Sequence, residues 1–289
     1  AHGGTARGRM KVGSGTKVLI TGASSGIGAA TAVTFGSRGA TVGLVARRGE
    51  RLAGVLSDAL AAGAGAASRA WTADLGDLGL AETVALEAWD HFEGIHVLVN
   101  NAAIPKRRFV DVLTPAEVDE TMRVNFTSPV RMTLAVLPRM LAAGSGCIVN
   151  IGSMGGRVGI LQEAAYCASK FALTGWTESM AADLWRSGVE VRLVQPGPVD
   201  TEIWDQPGND PAHYDGELVA PSVVAASIVA AVEGDRLETF APDLGSIVEW
   251  KSGHLDEYVE GIAAQRKAAG ASASEPEEQH RAARRSEAI

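Results

Sequence analysis

Apolar positions along this chain follow two alternating patterns, short unbroken runs and longer stretches with a helical repeat. Val18-Leu19-Ile20, Val97-Leu98-Val99 and the segment Val191 to Val194 are near-continuous apolar runs, of the kind found in strands covered on both faces. With their flanks, they and similar runs predict strands over Lys17–Thr21, Thr41–Ala46, Ala67–Ala73, His96–Asn100, Gly146–Ile151, Glu190–Val194 and Thr239–Ala241. Helices are predicted between them, over Gly26–Arg38, Glu50–Ala62, Leu80–Phe92, Pro115–Ala143, Ala164–Gly188 and Pro221–Glu233. Strands that alternate with helices build an α/β fold, here a single doubly wound parallel sheet with helices on both faces.

Three segments depart from this alternation. Residues 1–16 are glycine-rich, mildly basic and without hydrophobic periodicity, so a flexible leader is expected. The connection over about 197–221 is rich in Pro, Asp and Gly, yet it carries Trp204, His213 and Tyr214. A long loop with bulky side chains is expected to act as a lid. From about 263 to 289 Ala, Glu, Arg and Ser dominate, with no core-forming residue before Ile289, and a disordered tail is expected. Residues 17–262 then form one domain around one core.

The 289 residues are 46% hydrophobic, enough for one large core. A net charge of −8 argues against nucleic acid as partner, because phosphate binding needs a basic footprint. Cys147 and Cys167 sit in apolar contexts without metal-ligand or disulfide spacing, so both are expected as buried small hydrophobes and no metal site is expected. No apolar run reaches the ~18 residues of a membrane span, and no signal-peptide pattern precedes the first strand. A cytoplasmic protein without membrane partners is the resulting expectation.

Two short motifs carry the chemistry. Thr21-Gly22-Ala23-Ser24-Ser25-Gly26-Ile27-Gly28 lies between a predicted strand and a predicted helix. There Gly22 permits the sharp turn, Gly26 lets the helix begin close to a pyrophosphate, and Gly28 packs helix on strand. Backbone N–H groups and the positive end of the helix dipole then face the phosphates. Tyr166-Cys167-Ala168-Ser169-Lys170 places a phenol and an ammonium one helical turn apart on one face. A neighbouring cation favours phenolate, so Tyr166 is expected to have a lowered pKa and to exchange protons near neutral pH. A dinucleotide cradle beside an acid–base group suits hydride transfer.

Six motifs in order resemble the classical short-chain dehydrogenase/reductase family over about Lys17 to Pro242. They are the glycine turn, Asn100-Asn101-Ala102, Asn125, Ser153, Tyr166 with Lys170, and Pro196-Gly197 followed by Thr201. The resemblance implies a Rossmann-type fold and a set of roles. It implies Tyr166 as general acid–base, Lys170 as its tuner and ribose ligand, Ser153 as holder of the substrate oxygen, and Asn125 as support for a water-borne proton path. It implies cofactor contacts from Gly22, Ser24, Ser25, Gly26, Ile27, Gly28, Arg47, Asp74, Leu75, Asn101, Ala102, Tyr166, Lys170, Pro196, Gly197, Val199 and Thr201. One departure is Ala103, where the family has glycine.

Cofactor preference is read at Val45-Ala46-Arg47-Arg48. Ala46 cannot hold a ribose diol as an acidic residue does, whereas Arg47 can make charge-assisted bonds to a 2′-phosphate. NADP is therefore expected, with NAD as the alternative. Arg48 is expected as a solvated surface charge, and Lys106, Arg107 and Arg108 as a solvated loop bordering the site. The expected partner is a ketone or secondary alcohol of apolar character, given Trp204 and Tyr214 in the lid. A homodimer or homotetramer is expected through the two longest helices, as in relatives. The rival reading is a catalytically idle dinucleotide-binding sensor or scaffold, which has no use for a tuned proton donor. An epimerase or dehydratase acting on sugar nucleotides fits less well, because those enzymes carry different glycine spacing and a larger C-terminal region.

Overall fold

The computed structural model describes residues 10–270. Among them, seven parallel strands form one sheet: β1 Lys17–Thr21, β2 Thr41–Ala46, β3 Arg69–Thr72, β4 Val97–Asn100, β5 Gly146–Ile151, β6 Val189–Pro196 and β7 Glu238–Ala241. Their order is β3-β2-β1-β4-β5-β6-β7. β1 is held on both sides, Leu19 pairing with Gly43 of β2 and with Leu98 of β4. The helices are α1 Gly26–Ser37, α2 Gly49–Ala61, α3 Leu78–Phe92, α4 Pro115–Met122, α5 Ser128–Ala143, α6 Ala164–Asp183, α7 Pro221–Glu233, α8 Gly245–Gly253 and α9 Leu255–Gly270. This is the predicted doubly wound α/β sheet, with strand bounds shifted by a residue or two.

The two-residue repeat of a strand sends alternate side chains to opposite faces. Val18, Ile20, Val97, Val99, Cys147 and Val149 pack under α1, α2 and α7, against Phe35, Leu52 and Ile228. Leu19, Leu98 and Ile148 face the other way, against Val84 of α3, Met132 and Val136 of α5 and Met180 of α6. Each fully buried side chain of this size contributes about 1.5–3 kcal/mol, so both layers are needed to hold the sheet flat between them. Strand order reverses between β1 and β4, and the connections leaving their carboxyl ends diverge to opposite faces. A crevice opens there, where open α/β sheets bind ligands. Thr21 ties its two lips together, its Oγ1 accepting the N–H groups of Asn101 at 2.9 Å and Ala102 at 3.0 Å.

Four segments differ from the sequence pattern. The single helix expected over 115–143 is broken by a π-helical turn, Arg123–Thr127, between α4 and α5. Pro129 explains it: proline has no N–H to give the carbonyl of Asn125, and the N–H of Ser128 reaches back to the Arg123 carbonyl instead. α6 ends at Asp183 rather than at Gly188, the chain passing through turns before Gly188 at φ 99°. Within the expected leader, residues 10–16 are fastened, the N–H of Val12 donating to Glu233 Oε1 at 3.0 Å while its side chain joins the core; residues 1–9 lie outside the described residues. α9 runs through the expected start of the tail at 263, and Arg266 stacks on Phe109 at 4.3 Å and donates to Asp111 at 3.2 Å. The remainder of that tail, 271–289, is outside the described residues. Among the described residues no helix is long and apolar enough to cross a membrane.

Candidate active site

A cleft of about 840 Å³ lies over the carboxyl ends of the central strands. Its floor is the glycine turn. Gly22 has φ 65°, and a Cβ there would stand 2.8 Å from the Ala102 Cα, while a Cβ on Gly28 would stand 2.4 Å from the Gly22 carbonyl oxygen. Side chains are excluded on both counts, so the backbone itself forms the surface. Asn101 locks the turn, its Nδ2 donating to the carbonyls of Thr21 at 2.8 Å and Gly22 at 3.4 Å. Ser25 precedes α1 without capping it by its side chain, which leaves first-turn N–H groups available to an anion. The cradle thus fits a pyrophosphate. Ser24, Gly26 and Ile27 line it, and Gly28 sits beneath, packing helix on strand rather than lining the cleft.

At the end of β2 the cleft wall is Ala46, Arg47 and Arg48. Arg48 is exposed, as expected, but it is not without partners. Its guanidinium donates to Ser25 Oγ at 2.6 Å, to Ser24 Oγ at 3.2 Å and to Glu202 Oε2 at 2.6 Å. Arg51 pairs with the same Glu202, and the two guanidiniums hold that carboxyl below its usual range. Leu75 and Asp74 close this end; Asp74 Oδ1 accepts the N–H of Gly76 at 2.9 Å, the turn-forming bond its residue type favours.

Under the opposite end stand the residues of the second motif. β5 delivers Ser153, which caps the short helical turn Met154–Gly156; its Oγ accepts the Gly155 N–H at 3.0 Å and its own N–H donates to Gln195 Oε1 at 2.7 Å. Tyr166 and Lys170 share one face of α6. Burial pushes the Tyr166 phenol above its usual range, the Glu163 carboxylate adds to the rise, and a hydrogen bond with Ser153 opposes it. This is opposite to the lowering expected from Lys170. The Lys170 Nζ lies 5.7 Å from the centre of the tyrosine ring and donates to the Ile151 carbonyl at 2.9 Å, so its charge lies under the ring. At 2% exposure its ammonium is itself penalised, and burial brings its pKa down to about 8. Asn125, in the π turn, stands behind the cleft. Its side chain pairs with Ile104 in both directions, at 2.8 and 2.9 Å, and donates to Ser169 Oγ at 3.1 Å.

Pro196, Gly197, Val199 and Thr201 also line the cleft and lead into the long connection that ends at α7. Here a further expectation is overturned: Lys106 and Arg107 are buried, not solvated. Arg107 donates to the carbonyls of Asp210 at 3.1 Å, Ile203 at 3.2 Å and Trp204, and its guanidinium lies 5.7 Å from the Trp204 ring centre. Carbonyls of a loop a hundred residues downstream satisfy this charge, a pairing no local pattern reveals. Trp204 in turn stacks on Tyr214 at 6.0 Å.

The far wall also escaped the sequence reading. It comes from α8 and α9 and the residue before them, with Leu244, Ile247, Tyr258, Ile262 and Gln265 facing the cleft. Their spacing of three to four residues within each helix is the signal available for them. Glu163, three residues before Tyr166, is another cleft residue not anticipated; burial pushes its carboxyl up to about 7, with Arg107 pulling it down. Cys147 and Cys167 are buried thiols pushed up to about 12 by burial.

The comparisons with known proteins agree with this geometry. The family model for short chain dehydrogenases matches residues 16–211. D-threitol dehydrogenase of Mycolicibacterium smegmatis is 34% identical over 234 residues, covering 75% of this chain and 88% of that protein. Galactitol 2-dehydrogenase of Agrobacterium fabrum is 33% identical over 226 residues, 76% of this chain and 84% of its own. Among solved structures, a short-chain dehydrogenase from Sphingobium yanoikuyae in complex with NADPH superposes with a TM-score of 0.74 at 30% identity, covering 86% of this chain and 95% of that one. With a glycine turn that only backbone can line, a matching family model and relatives aligned over three quarters of its length, the chain belongs to the short-chain dehydrogenase/reductase family and is an oxidoreductase acting on CH–OH groups.

Proposed function

We propose that this protein interconverts a ketone and a secondary alcohol with NADP(H), Tyr166 serving as general acid–base. The observation that carries the reading is the convergence of Ser153, Tyr166 and Lys170 in the same cleft whose floor is the Gly22 turn. When bound, the nicotinamide dinucleotide supplies or accepts the hydride. The protein's own groups handle the proton and the orientation. Ser153 Oγ holds the substrate oxygen, and Tyr166 Oη donates to that oxygen as a carbonyl is reduced. A phenol held above its usual range is protonated at neutral pH, which is the donor form. Lys170, beneath the ring, stabilises the phenolate left behind. The Asn125 carbonyl, deprived of its helical donor by Pro129, is free to order the water that returns a proton.

NADP over NAD is supported by Ala46, which brings no carboxylate to the ribose, and by the donors of Arg47, Arg48, Ser24 and Ser25 around it. A CH–OH substrate accords with two relatives named for sugar alcohols. Self-association through α5 and α6 belongs to the same reading, supported by exposed Leu134 and Leu141 on α5 and Phe171 on α6. The deciding experiment is Tyr166→Phe, which keeps the ring and deletes the proton. Turnover with NADPH on a ketone reduced by the wild type is expected to fall about 100-fold or more while calorimetric NADP affinity is kept. Near-normal turnover would remove Tyr166 from the role.

A further inference from the structure

Glu163 enters the reading above only through its charge beside Tyr166, and its surroundings call for a partner of its own. Its carbonyl accepts the Cys167 N–H at 2.7 Å, which makes Glu163 the N-cap residue of α6, three residues before Tyr166. It lines the cleft in the company of Ile160, Leu161, Tyr258 and Ile262. Among the described residues its carboxyl has no hydrogen bond or ion pair, only the longer-range field of Arg107. The approach to it is fixed. Gln162 is held at φ 65°, in the left-handed region, and its carbonyl accepts the Arg108 N–H at 2.7 Å. Non-glycine residues persist there where the surroundings over-determine them, commonly at functional sites. Of the other carboxylates lining the cleft, Asp74 is engaged in its own turn and Glu202 with Arg48 and Arg51, while Asp215 belongs to the loop over 197–221.

We propose that Glu163 is a substrate-recognition residue that accepts a hydrogen bond from a hydroxyl on the carbon next to the reacting carbon. The preferred substrate is then an α-hydroxy ketone, or the matching vicinal diol, on a largely apolar body. The inference rests on the reading of Tyr166 as the proton donor: the two side chains line one cleft three residues apart, near enough for the Glu163 charge to act on the phenol, so one ligand can meet Tyr166 at its reacting carbon and Glu163 at the neighbouring one. A carboxyl without a partner in an apolar wall is unfavourable, and a ligand hydroxyl relieves it. A plain ketone leaves it unrelieved. Its pKa near 7 means that a large carboxylate fraction, the better acceptor, is present at neutral pH.

The test compares 2-hydroxyacetophenone with acetophenone, which differ by that one hydroxyl, in the full-length protein with NADPH. Wild type is expected to favour the hydroxy ketone in kcat/KM by about tenfold or more, as for one hydrogen bond to a charged group. Glu163→Leu is expected to bring the ratio near one, because loss of the Glu163 charge beside Tyr166 acts on both ketones alike whereas loss of the hydroxyl's acceptor acts on the hydroxy ketone alone. Glu163→Gln, which keeps an acceptor oxygen, is expected to retain part of the preference and guards against a folding defect. A wild type indifferent to the hydroxyl, or a ratio unchanged in Glu163→Leu, would overturn the proposal while leaving the oxidoreductase reading intact. Reduction of neither ketone by a wild type that binds NADPH would overturn that reading for this substrate class and this inference with it.

Discussion

Arg107 fastens the loop over 197–221, which we propose as the lid, and Arg107→Ala tests that directly. The guanidinium is 3% exposed and its hydrogen bonds to Asp210, Ile203 and Trp204 all end on lid carbonyls. A hydrogen bond to a charged group contributes about 1.5–3 kcal/mol, and the freed carbonyls recover part of that from water. The lid should therefore open more easily by about 3 kcal/mol, roughly two orders of magnitude in the open population. Hydrogen exchange reads this at the N–H groups of Asp210, which donates to the Arg107 carbonyl at 2.9 Å, and of Val219, which donates to Pro198 at 3.0 Å. Protection there should fall about 100-fold, while amides of β1 and β4 keep theirs, because the core touches none of these bonds. Arg107→Lys keeps the charge but not the planar fork, and should fall between the two. Equal lid protection in wild type and Arg107→Ala would refute the assignment, and so would a uniform loss across the sheet.

Two further outcomes follow from the same geometry. Because the Glu163 pKa is raised, the fold favours its neutral form, so its contribution to stability is full below about pH 4 and is lost as pH rises through 7; denaturant titrations should show wild type losing about 2–3 kcal/mol relative to Glu163→Gln between pH 4 and pH 8, and a constant difference would contradict the burial of that carboxyl. Gly28→Ala puts a methyl 2.4 Å from the Gly22 carbonyl oxygen and must displace the turn; calorimetric affinity for NADP should drop about tenfold or more, and an unchanged value would mean that the turn is not the pyrophosphate cradle.

The residues that bring the cleft floor together were legible because their task belongs to the backbone. A glycine that must be a glycine, as at Gly22, is visible at fixed spacing from the strand before it. Tyr166 and Lys170 are legible for a similar reason, one helical turn being a fixed offset in sequence. Arg107 and Arg48 were not, since a run of cations looks solvated until the chain folds a distant acceptor onto it, Ile203 or Glu202 in these cases. The direction of the Tyr166 pKa was also out of reach. Proximity of a lysine in sequence is visible, but the burial of the phenol and the carboxylate of Glu163 are properties of the closed cleft. The π turn at Arg123–Thr127 was available in principle from Pro129, whose missing N–H dictates it, but helical periodicity on both sides concealed the break. α8 and α9 did not announce a core helix, because Ile247, Tyr258 and Ile262 face a cleft rather than a packed interior and Trp250, Leu255 and Val259 are exposed.

That placement of α8 and α9 divides labour along the chain. The stretch matched by the family ends at residue 211, and it contains the whole glycine turn, Ser153, Tyr166 and Lys170. Leu244, Ile247, Tyr258 and Ile262 come later and shape the side of the cleft that a substrate body would meet. Changes confined to the last two helices can thus resculpt what is accepted while the proton-handling residues stay untouched, so descendants of this sequence can diverge in diet without reinventing their chemistry.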